Sequence, residues 1–377
     1  MPDSIVTHWA LTIGPGCQTP YTAPSFFNIS GMSYGSISKP AVRALSRGAA
    51  RAGIWLNTGE GGLADWHLEG GGDIVMQIGT AKYGVRTLDG DLDEERLRDV
   101  AAHDAVKMFE IKLSQGAKPG KGGILPACKV TEEIARVRNV PMGRDSVSPN
   151  RFPEVASTPE LLDFIARIRA VTGKPTGIKT VIGDPDWLDE LCIEIDRRGV
   201  ESAPDFISVD SADGGTGASP LPLLDYSGML IADSLPLTAD KLTVHRLRDR
   251  IKIIAAGKLM MPGPVAWALA AGADFVQSAR GFMFALGCIQ AMQCNRNTCP
   301  TGVTTHDPRL QRGLVVPDKA GRVAAYAANV VREVGIIAHS CGVDDPRELE
   351  RRHCWITGAD GTPRRLSELY PTPHARS

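Results

Sequence analysis

The sequence predicts an α/β chain folded as a (β/α)8 TIM barrel, with an N-terminal arm and a C-terminal helical extension. Three observations carry this. Eight short apolar runs of strand length recur along the chain, and most are followed by a stretch with helical spacing, the alternation expected of parallel βα units. The runs end in small or polar residues, where a barrel presents its binding loops. No G-x-G-x-x-G follows the first run, which argues against the alternative, a doubly wound open sheet.

In chain order, residues 1–25 carry Pro, Thr and Gly without clear periodicity and read as an arm. The predicted barrel occupies 26–281. Its strands are Phe27–Met32, Ile54–Asn57, Asp73–Ile78, Met108–Leu113, Thr176–Ile182, Phe206–Asp210, Ile251–Ala255 and Asp274–Ser278. Helices are expected at Lys39–Ala52 (Val42, Leu45 and Ala49 on one face), Asp93–His103, Val130–Val137, Pro159–Val171, Asp186–Arg198 and Pro264–Ala271, and Leu242–Arg248 leads into strand seven. Thr158 is the expected N-cap of the fourth, with Pro159 in the first turn. Residues 282–370 hold a cysteine-bearing segment and the helix Lys319–His339, and 371–377 form a tail.

Composition excludes several classes. Hydrophobic residues make up 43% and charged residues 23%, as in globular proteins, and the net charge of −1 gives no support for nucleic-acid or anionic-membrane partners. No apolar run approaches the roughly 20 residues of a membrane span. Met1 to Leu11 is not a signal peptide, and eight scattered cysteines do not form a disulfide framework, so a reducing cytoplasm is the expected compartment.

Three of those cysteines, Cys288, Cys294 and Cys299, lie within twelve residues, the last followed by Pro300-Thr301-Gly302. Thiolates at such spacing suit iron–sulfur clusters or zinc, although no C-x-x-C pair is present; three buried free thiols are the alternative. Other candidates sit at predicted strand ends. Gly257 and Ala279-Arg280-Gly281 follow strands seven and eight, where backbone N–H groups can meet a phosphate. Lys179 lies inside strand five, a costly place for a charge without a partner.

The segment Gly287-Cys288-Ile289, Cys294, Asn297-Thr298-Cys299-Pro300, Gly302-Val303 resembles the cysteine motif of the flavin domain of glutamate synthases. The likeness extends, in order, over about residues 26–312: Met32 and Ser33, the loop Asn57 to Gly62, Gln77, the loop Ser114 to Pro126, and Asp210 to Pro220 with its Gly-Gly-Thr-Gly-Ala-Ser-Pro stretch. The resemblance implies FMN and a [3Fe-4S] cluster ligated by Cys288, Cys294 and Cys299. It implies cofactor contacts at Met32, Ser33, Asn57, Gln77, Lys179, Asp210, Gly214, Gly215, Gly257, Ala279 and Arg280. Lys118 and Arg138 would hold a dicarboxylate, and Glu60 and Lys118 would serve catalysis, Glu60 in proton handling or ammonium contact. The implied reaction reduces the imine of 2-oxoglutarate and ammonia to L-glutamate. A related reductive amination with another amine (such as methylamine) or oxo acid, in a multi-chain synthase, is one alternative; a non-catalytic electron-transfer subunit is another.

Because the chain starts at Met1-Pro2 without a cysteine-nucleophile glutaminase domain, separate amine-supplying subunits and a ferredoxin or reductase donor are the expected partners, and oligomerisation is open. Four positions depart from the family pattern: Asn295 for His, Lys121 for Glu, Ile124 for Gln and Phe152 for His. The last three bear on the substrate.

Overall fold

The computed structural model describes residues 10–116, 122–215, 219–223, 227–358 and 360–373. Eight parallel strands close a barrel: β1 (Phe27–Ile29), β2 (Leu56–Asn57), β3 (Ile74–Ile78), β4 (Val106–Lys112), β5 (Thr176–Val181), β6 (Phe206–Asp210), β7 (Lys252–Ala256) and β8 (Phe275–Ser278). Neighbours in sequence are neighbours in space, and β8 returns to β1 with Val276 opposite Phe27. The predicted (β/α)8 architecture is therefore the observed one.

Local signals set the helix ends. The Ser38 hydroxyl accepts from the Ala41 N–H to start Lys39–Ala52, and Gly53 at φ 64° ends it. Asp93 caps Glu94–Ala101. The expected cap at Thr158 shifts by one residue. Ser157, extended at ψ 164°, accepts from the Glu160 N–H, and Thr158 is already helical. The sixth barrel helix runs over Ile231–Val244, where the sequence predicted none. Pro236 lies inside it and removes one backbone bond, which hid the helix in the sequence. The long helix Val316–Ser340 packs against Lys39–Ala52, closing the helical ring.

The arm also has structure. Leu11–Ile13 and Tyr21–Ala23 pair as an antiparallel hairpin across the N-terminal mouth. Ile13, Tyr21 and Ala23 cluster with Trp55, Val75, Met108, Phe206, Ile254 and Phe275, all buried. The Trp55 ring lies 5.3 Å from Phe275 and 6.4 Å from Tyr21. Gly177 is needed here, because a Cβ on it would lie 2.5 Å from the Phe206 ring. Between β4 and β5 an insert carries the helix Glu132–Arg138 and a short ribbon pairing Ile124–Leu125 with Ser146–Val147. Among the described residues no helix is long and apolar enough to cross a membrane. None of the eight cysteines is joined in a disulfide.

Candidate functional site at the C-terminal mouth

Above the apolar layer the barrel interior turns polar. Glu110, on β4 and 1% exposed, accepts from the Asn57 Nδ2 and the Gln77 Nε2 at 2.7 Å each, and from the Ser208 hydroxyl at 2.5 Å. Lys179 on β5 faces Asp210 at 3.4 Å. Burial pushes its ammonium pKa down, but Asp210 and then Glu110 outweigh that and hold it above the ordinary lysine value. Asp210 also accepts from the Gly116 and Ser211 N–H groups, tying the β4 and β6 loops together.

A cavity opens over this layer. Its wall includes Met32 and Ser33 after β1, Glu60 after β2, Gln77, Lys112, Gly215 and the Ala279-Arg280 turn. Gly31 lies where a Cβ would come within 3.0 Å of the Asn57 and Gln77 amides, so its lack of a side chain keeps the floor open. Gly59, at φ 66°, must be glycine because a Cβ would sit 2.5 Å from the Ser33 nitrogen. Glu60 pairs with Lys112 at 2.9 Å, its carboxylate seated between Gly79 and Gly123. Gly257, expected to admit a phosphate, is at φ 125° and packs on Ser211, whose Cβ an added methyl would meet at 2.2 Å. Gly214 donates to the Ser211 carbonyl, and Arg280 donates to the Gly215 carbonyl at 3.1 Å.

Arg138, at the end of the insert helix, is 3% exposed and lines the same cavity. Its guanidinium lies over the Tyr83 ring at 4.8 Å and donates to the Tyr34 carbonyl, while its buried Nε has no partner. Burial lowers its pKa. Lys118 and Lys121 lie outside the described residues. Ile124 is on the cavity wall and 54% exposed. Phe152 is 2% exposed and packs on Phe164 at 5.3 Å, away from the cavity wall, so its exchange for His alters the core and not the pocket.

Cys288, Cys294 and Cys299 line another part of this wall. Among the described residues no three His, Cys, Asp or Glu side chains are gathered to hold one metal ion. Burial works against the Cys299 thiolate, yet hydrogen bonding led by Thr301 outweighs it and brings the thiol down to about 7. Lys129, 1% exposed, donates to the Ser36 and Cys294 carbonyls at 2.7 and 3.1 Å. Burial lowers its ammonium pKa to about 8, against the pull of Cys294 and Cys128.

Sequence reasoning missed Glu110, Lys112 and Lys129. The first two had a signal: Met108-Phe109-Glu110-Ile111-Lys112 puts two charges at period two on one face of an otherwise apolar strand. Lys129 had none.

Fold and site together define a (β/α)8 barrel protein with its ligand cavity at the C-terminal mouth. The model of the conserved region in glutamate synthase matches residues 16–344, and the chain belongs to that family. It is 44% identical over 347 residues to a glutamate synthase large subunit-like protein YerD of Bacillus subtilis (strain 168), covering 92% of this chain and 66% of that protein. It is 32% identical over 315 residues to an archaeal-type glutamate synthase (NADPH) of Thermotoga maritima, covering 83% and 58%. The chain thus spans somewhat under two thirds of these relatives' length. Among solved structures, a mutant flavocytochrome b2 with pyruvate bound superposes with a TM-score of 0.53 at 15% identity, over 87% of this chain and 69% of that one. A mandelate oxidase variant with 2-hydroxy-phenylacetamide gives 0.52 at 17%, over 93% and 83%. At these identities the likeness is one of fold.

Proposed function

We propose that this chain is a glutamate-synthase-type oxidoreductase of the class acting on CH–NH2 donors, which reduces the imine of 2-oxoglutarate and ammonia to L-glutamate. Family membership supports the reaction type. The observation that carries the substrate class is Arg138: a buried guanidinium on the cavity wall, with an unpartnered Nε, calls for an anion. The residues present fit FMN. Gly31 leaves space over two amides, Lys179 supplies a buried cation, and Gly215 and Ala279-Arg280 line the rim. For a [3Fe-4S] cluster the support is the donor set: Cys288, Cys294 and Cys299 share one part of the cavity wall, and thiolates are the ligands such a cluster takes. Lys129 would offset the negative charge there.

Bound FMN would supply hydride, and the cluster single electrons from a donor such as ferredoxin or a reductase. The chain's own work is the rest. Gln77, Met32 and Ser33 would lie toward the FMN ring, Asn57 and Asp210 would fix the loops around it, and Gly214, Gly215, Ala279 and Arg280 would hold its phosphate, with Gly257 serving through its packing on Ser211. Arg138, with Lys118, orients the oxo acid, and Glu60, set by Lys112, handles the proton at the amine. Amine supply from glutaminase or other subunits and a cytoplasmic setting belong to the same reading. Ile124 on the wall favours a second reading, another oxo acid or an amine such as methylamine on the same machinery.

The test is anaerobic. The flavin of the purified protein is reduced, then 2-oxoglutarate and ammonium are added while its absorbance is followed. Reoxidation with glutamate formed supports the proposal, and Arg138→Gln should slow it at subsaturating oxo acid by roughly tenfold or more, the loss of one charged hydrogen bond. A flavin that stays reduced with 2-oxoglutarate but responds to another oxo acid moves the substrate to the second reading.

A further inference from the structure

Two of the side chains assigned to the cofactor, Asn57 and Gln77, carry amides whose two ends differ chemically: NH2 donates and C=O accepts. What turns them is Glu110. An ionised carboxylate only accepts, so each amide must present its NH2 to it. Both do, at 2.7 Å on the same oxygen, while the Ser208 hydroxyl donates to the other oxygen. The carbonyl ends are thereby left to point elsewhere. The Asn57 Oδ1 accepts from the Gly59 N–H at 2.9 Å and so shapes the loop after β2. The Gln77 side chain reaches the cavity wall beside Gly31.

We infer that Glu110 is a positioning residue that locks the Gln77 amide so that the cavity meets a hydrogen-bond acceptor, selecting a ring with an N–H edge; this rests on the FMN reading above. Three donors satisfy the buried carboxylate, and the Lys179 ammonium, paired with Asp210, also attracts it, so the arrangement is stable without a ligand. The isoalloxazine ring carries such an N–H in its imide, whereas a ligand presenting only acceptors would meet the Gln77 oxygen unfavourably.

The test is FMN binding to apoprotein, followed by flavin fluorescence, in a double-mutant cycle. Glu110→Gln keeps the shape but can face the amide with either end, which frees Gln77 to flip. FMN affinity should fall by roughly tenfold, the worth of one hydrogen bond. In a Gln77→Leu background the same change should have little further effect, because the residue acts through Gln77. Equal losses in both backgrounds, or no loss in the first, would overturn the inference. If wild-type apoprotein is folded and binds no FMN, it is the cofactor reading that fails. A measurement on the unaltered chain guards against a variant that does not fold. The side-chain NH2 protons of Asn57 and Gln77 should exchange slowly with solvent, and rapid exchange at Gln77 would contradict the lock.

Discussion

At the N-terminal mouth, Trp55, Phe206 and Phe275 meet a hairpin in a buried apolar cluster. At the C-terminal mouth, within the same eight strands, Glu110, Lys179, Asp210, Lys112 and Glu60 stand at or near the interior. The strands that supply Met108, Phe206 and Phe275 below supply Glu110, Ser208 and Gln277 two residues on. The lower layer gains stability from apolar burial. The upper layer gives that up to hold charges in fixed geometry, and buried ion pairs seldom repay their desolvation. The division teaches that stability and ligand chemistry are set by layer, and that changes in each should have separable effects.

The sharpest break is at the bottom. Phe206→Ala should cost about 3–5 kcal/mol of unfolding free energy through the cavity it leaves. FMN affinity of the molecules that remain folded should be nearly unchanged, and urea titration beside flavin fluorescence checks both. At the top, Lys179→Met leaves Asp210 and Glu110 without their cation. A loss of about 3 kcal/mol is expected, together with loss of FMN binding. Equal FMN loss in both variants would dissolve the comparison.

A pH profile sharpens it. His67 is fully buried, accepts from the Ala64 N–H, and burial lowers its pKa to about 4. The unfolded chain, with its His near 6.5, binds more protons between these values, so stability present above pH 6.5 is lost as pH falls toward 4, by about 3 kcal/mol. His67→Asn should flatten that slope in acid denaturation without moving the FMN dissociation constant at pH 7.5. The smallest effect on the fold is expected at the cysteine segment. Cys294→Ser should lose iron while FMN content and melting temperature stay close to wild type, because the segment caps a barrel already closed; undiminished iron would remove the cluster assignment.

Much of the barrel was legible in the sequence because its strands are short apolar runs with helical stretches between them. The arm's hairpin was not. Its two three-residue strands are too short for periodicity to register, and they are defined by what they cover. Helix Ile231–Val244 was hidden by Pro236, which tertiary packing tolerates. At the site, the motifs pointed to part of the cavity wall, Met32, Ser33, Glu60, Gln77 and Arg138 among it, and also to Asn57, Lys179, Asp210, Gly214 and Gly257, which do not line it. They could not show that Phe152 turns into the core or that Gly257 is demanded by Ser211, since both are facts of long-range packing. Glu110 was readable in principle from its charge in an apolar strand. Its partners on β2, β3 and β6 came only with the closed barrel.

The most direct test of the account is an equilibrium titration of folded apoprotein with FMN, with the fluorescence of the flavin as the signal. The account predicts saturable quenching at one site per chain, abolished by Lys179→Met and retained, in the folded fraction, by Phe206→Ala. A folded apoprotein that leaves FMN fluorescence unchanged would contradict the claim that the polar upper layer is built to hold that cofactor.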